Sequence, residues 1–388
     1  MLGLYVHIPF CAAICNYCNF NRGLFDAELK ARYVRAVSAE IARSGGAGGS
    51  GGSGGAGGSG GSGGVADTIY FGGGTPSLLE PGEIADIIRA CREAFAVSAD
   101  AEVTLEANPE TVSVDRLAAF RAAGVNRVSF GVQSFREDEL RRLSRLHSAG
   151  RARDAVSEAR AAGFDNVSID LMMWLPGQRL EEWLQSVDEA IRVAPDHLSL
   201  YLLEVYPNAP LKDEMARQRW SQAPDDDAAA MYVTAMERLE AAGLQQYEIS
   251  NVARPGRRSR HNLKYWTDQE WLGFGCGAHS TRNGARWKNV SSTEEYVDRI
   301  ARDAGTEVDV RRLSDSERLG DALFTGLRLA EGVELATIRQ RYGVDVWRRF
   351  GADLQVYVDA GLLLHDGATL RLTRRGMLLA HEVMAVFV

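Results

Sequence analysis

Three of the chain's five cysteines, Cys11, Cys15 and Cys18, fall within the stretch HIPFCAAICNYCNF, residues 7–20. The spacing C-x3-C-x2-C puts three thiols on a single loop, and two kinds of chemistry use such a loop. A structural zinc ion closes with four ligands, and His7 is available as the fourth. An iron–sulfur cluster held by only three thiolates instead leaves one iron open to an exogenous ligand. Three thiols without a fourth favour the cluster, with zinc or thiols of no shared role as the alternatives. Five cysteines do not make an even disulfide framework, and in a reducing compartment clustered thiols signal metal or redox chemistry. Cys91, on an apolar helix-like stretch, reads as core, and Cys276 sits in a glycine-rich loop.

A loop of this kind needs rigid elements to hold it. LYVHI (4–8) is a β-type run leading into the cysteines, and a helical stretch follows from about Asp26 to Arg43. Further strand-like runs are TIYFG (68–72), EVTLEA (102–107), RVSFGV (127–132), NVSIDL (166–171) and HLSLYLL (197–203). Helix-like stretches lie near 80–96, 113–123, 136–144, 150–162, 179–193 and 225–242. Six β/α units predict a parallel sheet curled into a barrel or part of one, whose chemistry sits at the carboxyl ends of the strands. Residues 44–64 consist only of Gly, Ser and Ala, with 14 Gly among 21 residues. Such a segment has no apolar area to offset its ordering entropy, so the expectation is a flexible linker, tolerated or engineered, spanning roughly 25 Å.

From residue 246 the pattern becomes loop-rich and aromatic, and 292–388 reads as short helices with a hairpin around LLLHDGATLRLT. The expected division is therefore 1–245 for the barrel and 246–388 for a second region with a winged-helix-like tail. The formal net charge of −8 provides no basic field for a nucleic-acid backbone, so that tail is expected to serve as a lid or interaction surface. No run of about 20 apolar residues suits a membrane span, and MLGLYVHIPF lacks the basic start and cleavage site of a secretory signal. The chain reads as cytoplasmic.

Taken together, YVHIPFCAAICNYCNF, YFGGGTPSLL, EANPE, GVQSF, DLMMWLPGQ, YEISNVARPG, RHNLKYW and GCGAHS resemble the radical S-adenosylmethionine (SAM) superfamily. Within it they resemble the group of oxygen-independent coproporphyrinogen III oxidases and HemW-type haem chaperones, over residues 4 to about 290. The resemblance implies an α/β fold: a partial (β/α)6 barrel with a smaller mixed, mainly helical C-terminal domain. It implies a [4Fe–4S] cluster on Cys11, Cys15 and Cys18, its open iron chelated by SAM, whose sulfonium an electron from the cluster cleaves to a 5′-deoxyadenosyl radical. Gly72, Gly73 and Gly74 let the backbone approach the methionyl end closely, and Thr75 adds a hydroxyl. Glu106 is expected on the ribose hydroxyls, with Gln133 and Asp170 completing the site and Arg145 neutralising the methionyl carboxylate. Tyr5 matches the position that touches SAM, and Tyr17 is expected against the adenine.

His261, with Asn262, Tyr265 and Trp266 and joined by His279, makes a second constellation. An imidazole beside aromatic rings suits a planar tetrapyrrole, because it can ligate haem iron while the rings stack on the macrocycle. The chain departs from the oxidases it resembles in two places. They carry a fourth cysteine two positions after the third, where this chain has Phe20, and a substantial extension before the cluster, where this chain has ten residues. Both departures match the chaperone branch, which implies a protein that binds haem, cluster and SAM, draws on an electron donor and passes haem to an acceptor protein. The alternative is a radical enzyme acting on a tetrapyrrole, by decarboxylating coproporphyrinogen III or by opening or methylating haem.

Overall fold

Alternation of apolar and polar residues drives the first half of the chain into strands whose apolar side faces a ring of helices. In the computed structural model, which describes residues 1–45, 65–207 and 209–388, β1 (Leu2–Ile8) is followed by a ribbon of β2 (Phe10–Cys11) and β3 (Gly23–Leu24) that ties together the two ends of the cysteine loop. Then come β4 (Ala66–Gly73), β5 (Val97–Ala107), β6 (Arg127–Gln133), β7 (Val167–Met173) and β8 (His197–Leu202). β1, β4, β5, β6, β7 and β8 pair in parallel in that order, as the six β/α units predicted. Leu4, Val6, Ile8, Ile69, Phe71, Leu105, Val128, Phe130, Ile169 and Leu198 point outward, fully buried beneath the helices. Each such side chain contributes about 1.5–3 kcal/mol of burial.

The intervening helices start where the sequence supplies a cap. Ser113 and Ser148 accept the backbone N–H of Arg116 and Arg151 at the starts of Val114–Ala122 and Ala149–Ala161, and Pro81 opens Pro81–Ala94. The helix Ala27–Gly45 runs two residues into the Gly/Ser/Ala stretch, so the linker expected from residue 44 begins after Gly45, and the remainder of that expectation lies outside the described residues. Ser44 is drawn into the helix by its hydroxyl, which donates to Glu40 O at 2.9 Å.

The division expected at residue 245 is not where the packing divides. β9 (Gln245–Glu248) and β10 (Asn251–Ala253) extend the sheet beyond β8. On the opposite edge β11 (Glu270–Phe274) lies parallel to β1, and β12 (His279–Arg282), β13 (Ala285–Asn289) and β14 (Glu307–Arg312) continue it as an antiparallel meander. One sheet of twelve strands results, and the barrel's core takes in Leu272, Phe274, Tyr296 and Ile300.

A second core begins only at Leu319. It is built by the helices Asp315–Gly326, Leu335–Tyr342 and Val346–Asp359 with a small sheet of β15 (Val333–Glu334), β16 (Leu363–His365) and β17 (Thr369–Leu372), the last two forming the expected hairpin. The two units are joined by an ion pair between Arg328 and the fully buried Glu248, at 3.0 Å. Among the described residues no helix is long and apolar enough to cross a membrane.

Candidate cofactor site at the carboxyl rim of the barrel

Strands of a parallel sheet covered on both faces ordinarily read as continuous apolar runs. Here the alternate positions are polar: Tyr5 and His7 on β1, Thr68 and Tyr70 on β4, Glu102, Thr104 and Glu106 on β5, Arg127 and Ser129 on β6, Ser168 and Asp170 on β7, and His197 and Ser199 on β8. Register places Tyr5, Tyr70, Thr104 and Arg127 side by side across four strands, and Glu106, Ser129, Ser168 and His197 in the next row. These side chains contact one another between adjacent strands. Tyr70 donates to Glu106 Oε1 at 2.7 Å, Ser168 meets His197 Nδ1 at 2.9 Å, and Tyr5 stacks on Tyr70. The interior of this barrel is therefore a polar chamber.

At its carboxyl rim the expected residues converge. Gly73, at φ 115° and closed by the His7 ring where a Cβ would stand, donates its N–H to Glu106 Oε2 at 3.1 Å. A Cβ on Gly72 would come within 3.2 Å of Glu106 Oε1, and one on Gly74 within 3.0 Å of Cys11 Sγ. The three glycines thus form a cradle that any side chain would fill. Burial is the main reason that the Glu106 carboxyl is pushed up to about 7; neighbouring Asp170 adds to it, and the bonds from Tyr70 and Gly73 oppose it. Asp170 is raised to about 6, again chiefly by burial, against hydrogen bonds from Ser199 and Ser129. Arg127, 2% exposed, is the buried cation between them.

The thiols face donors. Arg145 Nη1 lies 3.4 Å from Cys15 Sγ, and the Thr75 hydroxyl lies 3.7 Å from Cys11 Sγ. Burial and, to a lesser degree, the other two thiols raise Cys11. Among the described residues no three His, Cys, Asp or Glu side chains converge as ligands of one ion. His7 is no fourth ligand, because Tyr5 OH at 3.1 Å and Asn21 O at 2.7 Å occupy both its ring nitrogens.

Gln133 takes the left-handed region at φ 70°, uncommon for a residue with a side chain, and this turns its amide toward Gly131, whose carbonyl accepts Arg145 Nη2 at 2.5 Å. Arg145 Nε is buried without a partner. Of the three crowded arginines, Arg141 is exposed and Arg142 caps Pro176 O, so Arg145 alone is directed at the thiols. Tyr17 packs beside Leu143, Met172, Leu175 and Leu203, and it neighbours Cys15 and Arg145. The cradle, the donors on sulfur and the unpaired guanidinium nitrogen fit a cluster bearing an anionic ligand.

His261 departs from the expectation of an open haem ligand. It is 1% exposed, its Nδ1 meets the Thr68 hydroxyl at 2.8 Å, and its Nε2 meets Tyr265 OH at 2.9 Å. Burial first, then the Lys264 and Arg127 cations, hold its imidazole down at about 3. It stacks on Tyr70 and forms part of the chamber wall, leaving no free nitrogen. Trp266 and His279 lie apart from it: with Trp271 and the ring of Tyr265 they line a cleft of ≈ 580 Å³ between the β11–β14 meander and the helix Asp315–Gly326. Cys276 and Cys91 are fully buried, as core thiols. The residues that sequence reasoning missed are Tyr70, Arg127, Ser129 and Ser199. Their signal was the polar alternation in strands that a covered parallel sheet would fill with Val, Ile and Leu.

Known proteins share this sequence and fold. The Radical SAM superfamily matches residues 59–190, and the HemN C-terminal domain matches residues 313–379, the unit with its own core. The solved structure of coproporphyrinogen III oxidase (HemN) from Escherichia coli has the same fold, with a TM-score of 0.84 over 100% of this chain and 89% of that one at 23% identity. Fold and site together define a radical SAM protein. Heme chaperone HemW of Bacillus subtilis is 34% identical over 100% of this chain and 99% of its own length, and that of Mycobacterium tuberculosis is 38% identical over 98% and 93%. Radical S-adenosyl methionine domain-containing protein 1 of Bos taurus mitochondria is 37% identical over 96% and 84%. The chain belongs to the HemW family of the radical SAM superfamily.

Proposed function

We propose that this protein is a cytoplasmic haem chaperone that holds a [4Fe–4S] cluster and SAM, binds haem and passes it to an acceptor protein. The observation that carries the reading is end-to-end kinship with heme chaperones in a chain whose rim groups face two of the three clustered thiols, Cys11 and Cys15. Cys11, Cys15 and Cys18 would hold the cluster, which when bound supplies an electron to the SAM sulfonium. Arg145 offsets the methionyl carboxylate, the Gly72–Gly74 backbone gives that end room, and Glu106 accepts from the ribose hydroxyls. Tyr5 and Tyr17 flank the ligand, and Gln133 and Asp170 supply its remaining polar contacts. Haem transfer exchanges only ligand bonds at iron, so it requires a haem seat and a contact surface and no general acid.

A second reading is radical chemistry on a tetrapyrrole, which would draw on the same thiols and rim residues and is supported by the fold shared with coproporphyrinogen III oxidase (HemN). One experiment separates them. Reduced, reconstituted protein is incubated anaerobically with SAM and coproporphyrinogen III and analysed by mass spectrometry, and in parallel the haem-loaded protein is mixed with an apo-haemoprotein. Haem transfer without decarboxylated product supports the chaperone. Catalytic conversion of propionates to vinyl groups overturns it.

A further inference from the structure

Arg127 carries a buried charge without an ion pair. It is 2% exposed, its Nε has no hydrogen-bond partner, and none of the ion pairs among the described residues includes it. Taking a guanidinium out of water is costly, so a charge nearby must offset it. Register shows which charges are near. Arg127 pairs with Thr104, and Glu106 pairs with Ser129 one row closer to the rim, so guanidinium and carboxyl stand diagonally across β5 and β6. Diagonal neighbours are within reach of a long side chain. Asp170 lies on the other flank, on β7, two positions beyond the Ser168 that pairs with Ser129.

The other titratable groups of the chamber are held neutral or already committed. Burial raises the Tyr5, Tyr70 and Tyr265 phenols, and the Glu106 charge raises them further. Tyr201, beside Asp170, is raised likewise, chiefly by burial. Burial and then the Arg127 charge hold the His197 imidazole low, and its nitrogens are occupied by Ser168 Oγ at 2.9 Å and Tyr247 OH at 2.8 Å. Glu102, one row deeper, accepts the backbone N–H groups of Arg260 and His261 at 3.1 Å each. That leaves Glu106 and Asp170. Burial is the main influence raising both, and Arg127 is the opposing charge common to them, with Arg145 adding to it at Asp170.

We propose that Arg127 is a positioning residue for SAM that acts through Glu106 and Asp170: its buried guanidinium is the shared counter-charge that lets both carboxylates meet the ligand ionised. The inference rests on the SAM-site reading and adds the residue that makes its acceptors usable. With both carboxylates charged, the three groups sum to one negative charge, which suits SAM, whose sulfonium and ammonium outnumber its carboxylate. Without Arg127 both carboxyls would keep their protons to higher pH, and the ribose hydroxyls would meet a neutral carboxyl in place of a charge-assisted acceptor.

The test is anaerobic equilibrium dialysis of SAM against the reconstituted full-length protein across a series of pH values, with circular dichroism to establish that each variant folds. Arg127→Gln should bind SAM about tenfold more weakly than wild type near pH 7 and regain affinity as the pH rises, to within about threefold near pH 9. Arg127→Lys keeps the charge and should stay within about threefold of wild type throughout, which keeps the test decisive if the glutamine variant does not fold. If Arg127→Gln binds about as well as wild type near pH 7, if its loss is the same at every pH, or if Arg127→Lys loses about tenfold or more, the inference is overturned and the SAM-site reading stands. If wild type binds no SAM at any pH, that reading fails and this inference with it.

Discussion

Glu106→Gln tests whether the rim carboxyl is desolvated as its surroundings imply. The Glu106 carboxyl sits between Tyr70 OH at 2.7 Å and Gly73 N at 3.1 Å and is raised from 4.5 to about 7. A carboxyl raised in the folded state binds its proton more tightly there than in the unfolded chain. Its stabilising effect is complete below the unfolded value and is lost as pH rises through the folded one. The displacement is worth roughly 3 kcal/mol once pH is well above 7. Glutamine carries no charge to desolvate, but its amide cannot serve both donors, and losing the bond from Gly73 returns about 1 kcal/mol. The cluster-free, SAM-free variant should therefore be about 2 kcal/mol more stable than wild type near pH 8.5, and no more stable near pH 5. Urea unfolding at the two pH values measures this, and Glu40, also raised to about 7, cancels because both proteins carry it. SAM affinity should fall about tenfold in the same variant. A gain that is absent, or equal at both pH values, would refute the account of Glu106 as a buried, strained charge.

Cys15→Ala should abolish the cluster's absorbance near 400 nm in reconstituted protein while leaving far-ultraviolet circular dichroism intact, because Cys15 is only partly buried on a loop outside the strand core. Arg145→Ala removes the cation beside Cys15 and should weaken SAM binding about 10- to 100-fold by equilibrium dialysis, with a smaller loss in Arg145→Lys. Lys264→Met should cost about 3–5 kcal/mol in urea unfolding, since Lys264 is 2% exposed, lies 2.5 Å from Asp67, and would leave that carboxylate with only Arg260 at 3.4 Å.

What the chain's own order determined was everything carried by short-range spacing. Cys11, Cys15 and Cys18 stand within one loop, Gly72–Thr75 within one turn, and the six parallel strands each announce themselves by a local β pattern bounded by helical periodicity. The hairpin of the C-terminal tail was legible for the same reason, being two short runs around Asp366 and Gly367. Pairing between distant segments is not written in any local period. Only the tertiary structure decided that β11 returns to lie against β1, carrying part of the expected second region into the barrel's sheet and moving the division of the cores to between Ile300 and Leu319. It likewise decided the fate of His261. Sequence could place an imidazole beside aromatics, but whether its nitrogens are free depends on Thr68, which lies 193 positions away, and on Tyr265. The same holds for Arg127, whose value as the buried counter-charge to Glu106 and Asp170 comes from three strands brought side by side. Motifs name the groups that can react, while folding sets which of them stay open and what each one's charge costs.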